Sequence, residues 1–208
     1  MFLNEKITLL NDAILNIEDF KKKINDKSFS PTHIIPDNFF LSVGRFTKQK
    51  NYEFLVKEFK EFCSKYPSEK LLIIGDGELK EKIIKLIEKY NLSQNIFILE
   101  HTPNVYYFMK KAKAFILSSL WEEVGFVIVE AAISNSIVIS SNCKNGPKEF
   151  LSDGNAGFLF ENNKNRSLEK NLNLFMNSEK KNLYKKRVKA KKNSIKFTMF
   201  RHQIELKK

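Results

Sequence analysis

Cysteine is scarce in this sequence. Cys63 and Cys143 are the only two in 208 residues. Two thiols make no disulfide framework, and no Cys/His cluster has zinc-type spacing. A disulfide-stapled scaffold and a zinc module are therefore not expected, no metal ligands are assigned, and a reducing cytoplasm suits the chain. Long apolar runs are also missing. No stretch reaches the ~18 consecutive apolar residues of a transmembrane helix. The opening MFLNEKITLLNDAIL carries Glu5 and Asp12 within its apolar part and lacks a small-residue cleavage site, a poor match to a secretory signal. The histidines, His33, His101 and His202, are scattered. Cys143 thus has no histidine near it in sequence and reads as a structural thiol rather than a nucleophile.

What is present supports a folded core. Hydrophobic residues make up 42% and aromatics 12%, too much for a disordered chain. The net charge is +12, unevenly placed. From Glu179 to Lys208, twelve Lys/Arg face two Glu, about +10 by count. Such a tail is either a solvated helix face or a surface for anionic lipid or a partner. It lacks aromatic interleaving and matches no nucleic-acid module, so no nucleic-acid partner is expected.

From Phe39 onward short apolar runs alternate with helical periodicity. FFLSVG, KLLIIGDG, NIFIL, AFILSS, SIVISS and GFLF read as strands. Helices are expected around Phe54–Cys63, Ile83–Tyr90, VYYFMKKA and Gly125–Ser134, with a helical turn at GPKEFL. Near-continuous apolar strands between helices predict an α/β fold, a Rossmann-like parallel sheet with helices on both faces. Before it, a strand-like run at Ile7–Leu10 and a helix at Ile17–Ile24 are expected. From Ser167 onward the chain reads as two or three helices. The division is 1–38 as a hinge or linker, 39–165 as the Rossmann-like domain, and 166–208 as basic C-terminal helices.

Ligands of such sheets bind beyond the carboxyl ends of the strands, which directs attention to the loops there. In GRFTKQKN, Gly44 lets the chain turn, and Arg45 and Lys50 flank a helix start. They are either a diphosphate clamp or two surface cations. GDGELKEK lacks the third glycine of a dinucleotide fingerprint and no Gly-Lys-Ser/Thr follows, so it reads as a tight strand-to-helix crossing. In SSLWEEVGFVIVEAA, Glu122 precedes Gly125, whose helix offers free amides to a phosphate. Glu130 shares a face with Phe126 and Val127 in an otherwise apolar helix, expected to be buried nearly all round. It either holds a polyhydroxy ligand such as a ribose diol or pairs with a lysine or backbone amides.

Together these segments resemble the C-terminal half of family 4 glycosyltransferases, retaining enzymes of the two-domain GT-B fold. FLSVGRFTKQKN, LLIIGDGELKEKI, NIFIL, NVYYFMKKAKAFILSSLWEEVGFVIVEAA and NGPKEFLSDGNAGFLF follow the family's order from about Phe39 to Phe160. Glu122 and Glu130 have the family's E-x7-E spacing. The resemblance implies transfer of a sugar from a nucleotide-sugar, such as a UDP-sugar or GDP-sugar, to an acceptor hydroxyl, without a metal or other cofactor. It implies that Arg45 and Lys50, beside Gly44, bind the diphosphate and that the backbone at Gly125, Phe126 and Val127 meets the phosphates. Glu130 would hold the ribose, and Glu122 would face the donor sugar as the catalytic acid residue. Polysaccharide or glycolipid assembly at the cell envelope is the implied pathway. The partners implied are the donor, an acceptor-binding domain or subunit, and an inner-membrane surface met through the basic C-terminus. Three positions depart from the family's pattern. Asp12 stands where a proline is usual, Glu123 and Val124 replace a glycine and an aromatic, and Glu100 replaces a glycine. The other reading is a non-catalytic donor domain that binds a nucleotide, a membrane or a partner protein.

Overall fold

The computed structural model describes residues 12–31, 35–123, 125–143 and 145–207. The run at Ile7–Leu10 lies outside the described residues. Helix α1 (Ile17–Ile24) begins where the Asn16 side chain accepts the amides of Glu18 and Asp19. Six strands follow: β1 (Phe39–Val43), β2 (Lys70–Ile74), β3 (Ile96–Leu99), β4 (Phe115–Leu117), β5 (Val138–Ser141) and β6 (Phe158–Phe160). Between them run α2 (Tyr52–Lys65), α3 (Lys80–Lys89), α4 (Val105–Lys111), α5 (Phe126–Ile133) and the short α6 (Pro147–Phe150). Beyond β6 come α7 (Ser167–Met176), α8 (Lys180–Ser194) and α9 (Met199–Leu206).

All six strands are parallel, in the order β3-β2-β1-β4-β5-β6. The alternation of side chains along each strand sorts the core into two clusters. Phe40, Leu71, Ile73, Ile116 and Ile139 pack with α2, α3 and α7. Phe39, Leu41, Leu72, Phe115 and Val138 pack with α4, α5 and Phe197. The first cluster is rich in aromatics: Phe59, Phe62 and Phe175 all meet the Phe40 ring edge-on. Burial on both faces explains why the strands read as continuous apolar runs. The expected α/β architecture is thus observed.

The strand order reverses direction between β1 and β4. In sheets of this kind the crevice forms there, beyond the carboxyl ends. The loops after those two strands are Gly44–Lys50 and Ser118–Gly125. The loop after β2 is pressed against the first of them: a Cβ at Gly75 would lie 2.0 Å from the Gly44 carbonyl oxygen, and one at Gly77 would lie 2.8 Å from the Phe46 amide nitrogen. Its glycines therefore serve close backbone packing, as a tight crossing requires.

Two interactions fasten the outer helices. Glu58 of α2 is 3% exposed and accepts the backbone amides of Arg166, Leu168 and Glu169 at 2.8, 2.9 and 3.1 Å. A carboxylate from one helix thus satisfies the amino end of another and meets its positive partial charge. Over the opposite face of the sheet, the amides of Ile14 and Leu15 donate to the Phe197 carbonyl, and the Met199 amide donates to that of Leu15. Leu15 and Thr198 form an isolated parallel bridge. Replacing Glu58 with Ala is expected to cost about 2 kcal/mol through the lost cap and the amides left buried. Urea denaturation measures it, and an unchanged midpoint would refute the clamp.

Candidate functional site

The loops after β1 and β4 are sewn together. The Leu120 amide donates to the Gln49 carbonyl at 2.7 Å, the Gln49 side-chain amide donates to the Trp121 carbonyl at 2.9 Å, and Ser118 Oγ donates to the Lys50 carbonyl at 2.7 Å. The seam brings two of the sequence-predicted residues, Lys50 and Glu122, together. Lys50 Nζ lies 2.6 Å from Glu122 Oε1, and Ser119 Oγ donates to that same oxygen at 2.5 Å. Glu122 is 7% exposed, so its charge is held in a largely dry setting by one cation and one hydroxyl.

Two glycines shape this site for different reasons. Gly125 has φ +73 and immediately precedes α5, a left-handed conformation that favours glycine. A Cβ there would meet nothing nearer than 3.6 Å, so conformation alone requires it. Gly44 lies at the bend where β1 ends, as expected, and does so without a positive φ. What it provides is space: a Cβ would lie 3.2 Å from Tyr52 Oη and 3.3 Å from the Lys50 side chain. Tyr52 Oη donates to the Gly44 carbonyl at 3.3 Å, and burial pushes its pKa well above the usual phenol range.

A cavity of about 410 Å³ opens at the seam. Lys50, Glu122, Glu123, Gly125, Phe126 and Val127 line it, with Gln49 and Trp121. The first amides of α5 precede any bond within the helix and so remain available at its amino end. Trp121 and Phe126 are 49% and 43% exposed, although α5 was expected to be buried nearly all round. Its exposed flank faces the cavity, while Ile128, Val129, Ala131 and Ala132 bury the rest. Arg45 is exposed at the end of β1 and is not among the lining residues. Glu123 is exposed on the cavity wall, and Val124 lies outside the described residues. Glu100 forms an ion pair with Lys80 of α3.

Glu130 sits one turn into α5. Its hydrogen-bond donor is neither a lysine nor a backbone amide: Tyr106 Oη of α4 donates to Oε1 at 3.2 Å. Burial holds the Glu130 carboxyl above the usual carboxylate range, opposed by the Tyr106 hydrogen bond and by the charge of Lys23. Gln49, Ser119, Trp121 and Tyr106 were not singled out from sequence. Trp121 and Ser119 flank the E-x7-E segment and were findable there. Tyr106, 24 residues before its partner, carries no local signal. Cys143 is buried, and burial raises its thiol pKa, which suits a structural thiol. Among the described residues, no three His, Cys, Asp or Glu side chains gather as a metal ion would need. No helix among them is long and apolar enough to cross a membrane.

The chain belongs to the family described as glycosyl transferases group 1, whose model matches residues 23–197. It is 45% identical over 120 residues to an uncharacterized glycosyltransferase of Methanocaldococcus jannaschii, covering 57% of this chain and 30% of the relative. It is 29% identical over 178 residues to the poly(ribitol-phosphate) alpha-N-acetylglucosaminyltransferase of Staphylococcus aureus, covering 83% of this chain and 35% of that enzyme. A crystal structure of a mutant S. aureus TarM with fondaparinux, alpha-GlcNAc-glycerol and UDP superposes with a TM-score of 0.73 at 26% identity, over 86% of this chain and 37% of the other. The chain therefore spans about a third of the length of these relatives.

Replacing Lys50 with Met strands the buried Glu122 charge and is expected to cost about 2–3 kcal/mol. The further change of Glu122 to Gln should recover most of that loss. A double-mutant cycle by urea denaturation reads the coupling, and additive effects would refute it.

Proposed function

We propose that this chain is the donor-binding half of a retaining, family 4 glycosyltransferase that moves a hexosyl group from a UDP-sugar or GDP-sugar to an acceptor hydroxyl. One observation carries the reading. Lys50, Glu122 and the amino end of α5 meet at a single cavity at the sheet's reversal point, with Glu130 one turn along the same helix.

In this reading the diphosphate lies against the α5 amides and Lys50, with Arg45 reaching in from the rim. Fixed positive groups there stabilise the charge that develops as the bond between the anomeric carbon and the diphosphate oxygen breaks. The acceptor oxygen forms the new bond to that carbon, and its proton passes to the departing diphosphate. Glu130 accepts hydrogen bonds from the ribose diol. Glu122 faces the donor sugar once the diphosphate draws Lys50 away from it. The TarM complex contains UDP, and the named staphylococcal relative is an alpha-transferase, which supports both the donor class and retention. The greater length of the relatives supports an acceptor-binding domain or subunit as a necessary partner. The pathway is polysaccharide or glycolipid assembly, with the protein on the cytoplasmic side.

A membrane surface is the second partner. Between Glu179 and Glu205 there are ten Lys/Arg and no acid. Lys181, Lys185, Lys189 and Lys192 are exposed along α8, and Tyr184, Ile195, Met199 and Phe200 are exposed beside or just beyond them. Lysine is depleted in the cores of protein interfaces, whereas lysines flanked by aromatic and aliphatic side chains suit an anionic lipid surface. Changing these four lysines to Gln is expected to abolish co-sedimentation with phosphatidylglycerol vesicles. Retained binding would remove α8 from the contact.

One observation favours the non-catalytic reading. The charged residues of the cavity wall are Lys50, Glu122 and Glu123, and Glu122 already neutralises Lys50, so the wall carries a net negative charge before Arg45 is engaged. Titration calorimetry with UDP, GDP and ADP tests the donor site; since a non-catalytic donor domain binds a nucleotide as well, release of UDP or GDP from the nucleotide-sugar separates the readings where heat is seen. The donor reading expects binding of at least one nucleotide and about tenfold weaker affinity in Glu130→Ala. No heat with any nucleotide would leave the non-catalytic reading.

A further inference from the structure

Tyr106 is the hydrogen-bond partner of Glu130 and lies between that residue and α1. Its hydroxyl donates to Glu130 Oε1 at 3.2 Å, and its ring meets Phe20 of α1 edge-on at 5.2 Å and 88°. Phe20 is buried. α1 is held against α4 by backbone as well as side chain. Asn104 caps α4 by accepting the Tyr107 amide at 3.2 Å and donates to the Lys23 carbonyl at 2.8 Å, and Lys110 donates to the Ile24 carbonyl at 3.3 Å. The tyrosine is thereby fixed at both ends, with little rotamer freedom left to lose.

We infer that Tyr106 is a positioning residue for Glu130, fixing the carboxylate so that both of its oxygens can meet a ribose diol, and that α1 sets this position through Phe20. The inference rests on the ribose role proposed above for Glu130. A carboxylate oxygen has two lone pairs, so Oε1 can accept from Tyr106 and from a hydroxyl while Oε2 takes the other hydroxyl. A half-buried carboxylate with one oxygen anchored presents the second in a defined direction. Unanchored, it would pay the ordering cost when ligand arrives.

The charged and titratable neighbours are Tyr106 from α4, Lys23 from α1, and Asp19 of α1, which is paired with Lys23 at 3.0 Å. Burial favours the protonated carboxyl, and the tyrosine hydroxyl and Lys23 favour the ionised one that accepts from a diol. Removing the hydroxyl must therefore shift the loss of binding to higher pH.

The test is Tyr106→Phe, which keeps the ring against Phe20. UDP affinity is measured by calorimetry from pH 5.5 to 8.5 for this variant, the native protein and Glu130→Ala, and the Glu130 carboxyl carbon is titrated by NMR without ligand. Nucleotide phosphate titrates alike in all three proteins, so differences between them report on Glu130. The expected result is affinity about three- to tenfold weaker at the acid end of that range, a smaller loss at its alkaline end, and a carboxyl midpoint displaced upward. Coincident NMR midpoints, or coincident affinity profiles for Tyr106→Phe and the native protein, would overturn the inference. If Glu130→Ala keeps native affinity while the NMR midpoint still moves, the ribose assignment is what fails, and the positioning role falls with it.

Discussion

A parallel sheet buried on both faces leaves its backbone polar groups exposed to loops only at the strand ends. The candidate site follows from how those ends are closed. Between β1 and β4 the connections diverge to opposite sides, and the two loops close the gap with hydrogen bonds from Leu120, Gln49 and Ser118. That seam brings a lysine and a glutamate from distant parts of the chain within 2.6 Å, and it leaves the amino end of α5 open to a cavity. The same constraint makes glycine necessary at Gly75 and Gly77, where a second loop must lie directly on the first.

Much of this was legible in the sequence. Each strand from FFLSV to FLF was read from its apolar run because a sheet covered twice has no polar face to blur the pattern. The helices were equally clear, since α2 and α3 keep one apolar stripe. Glu122, Gly125, Phe126 and Val127 were found through a local motif and do line one cavity with Lys50.

What was missed depends on contacts between distant residues. Glu58 looks like any acid on a helix, yet its partners lie more than a hundred residues away. Tyr106 falls within a plain amphipathic stretch, and only the packing of α4 against α5 gives its hydroxyl a purpose. Gly44 was placed at the turn, but its crowding by Tyr52 and Lys50 was not foreseen, because that is set in three dimensions. The exposed flank of α5 was hidden too: an apolar helix beside a cavity reads like an apolar helix inside a core.

The short pairing of Leu15 with Thr198 has a mechanical consequence. A load entering along residues 12–15 reaches the domain first through the bonds from Ile14 and Leu15 to Phe197 and from Met199 to Leu15. Those bonds lie over the sheet face that carries α4 and α5, where Leu15 and Phe197 are buried. Tension there would part Leu15 from Phe197 and Met199 and then load α1, whose bonds to α4 through Asn104 and Lys110 stand between that joint and the sheet.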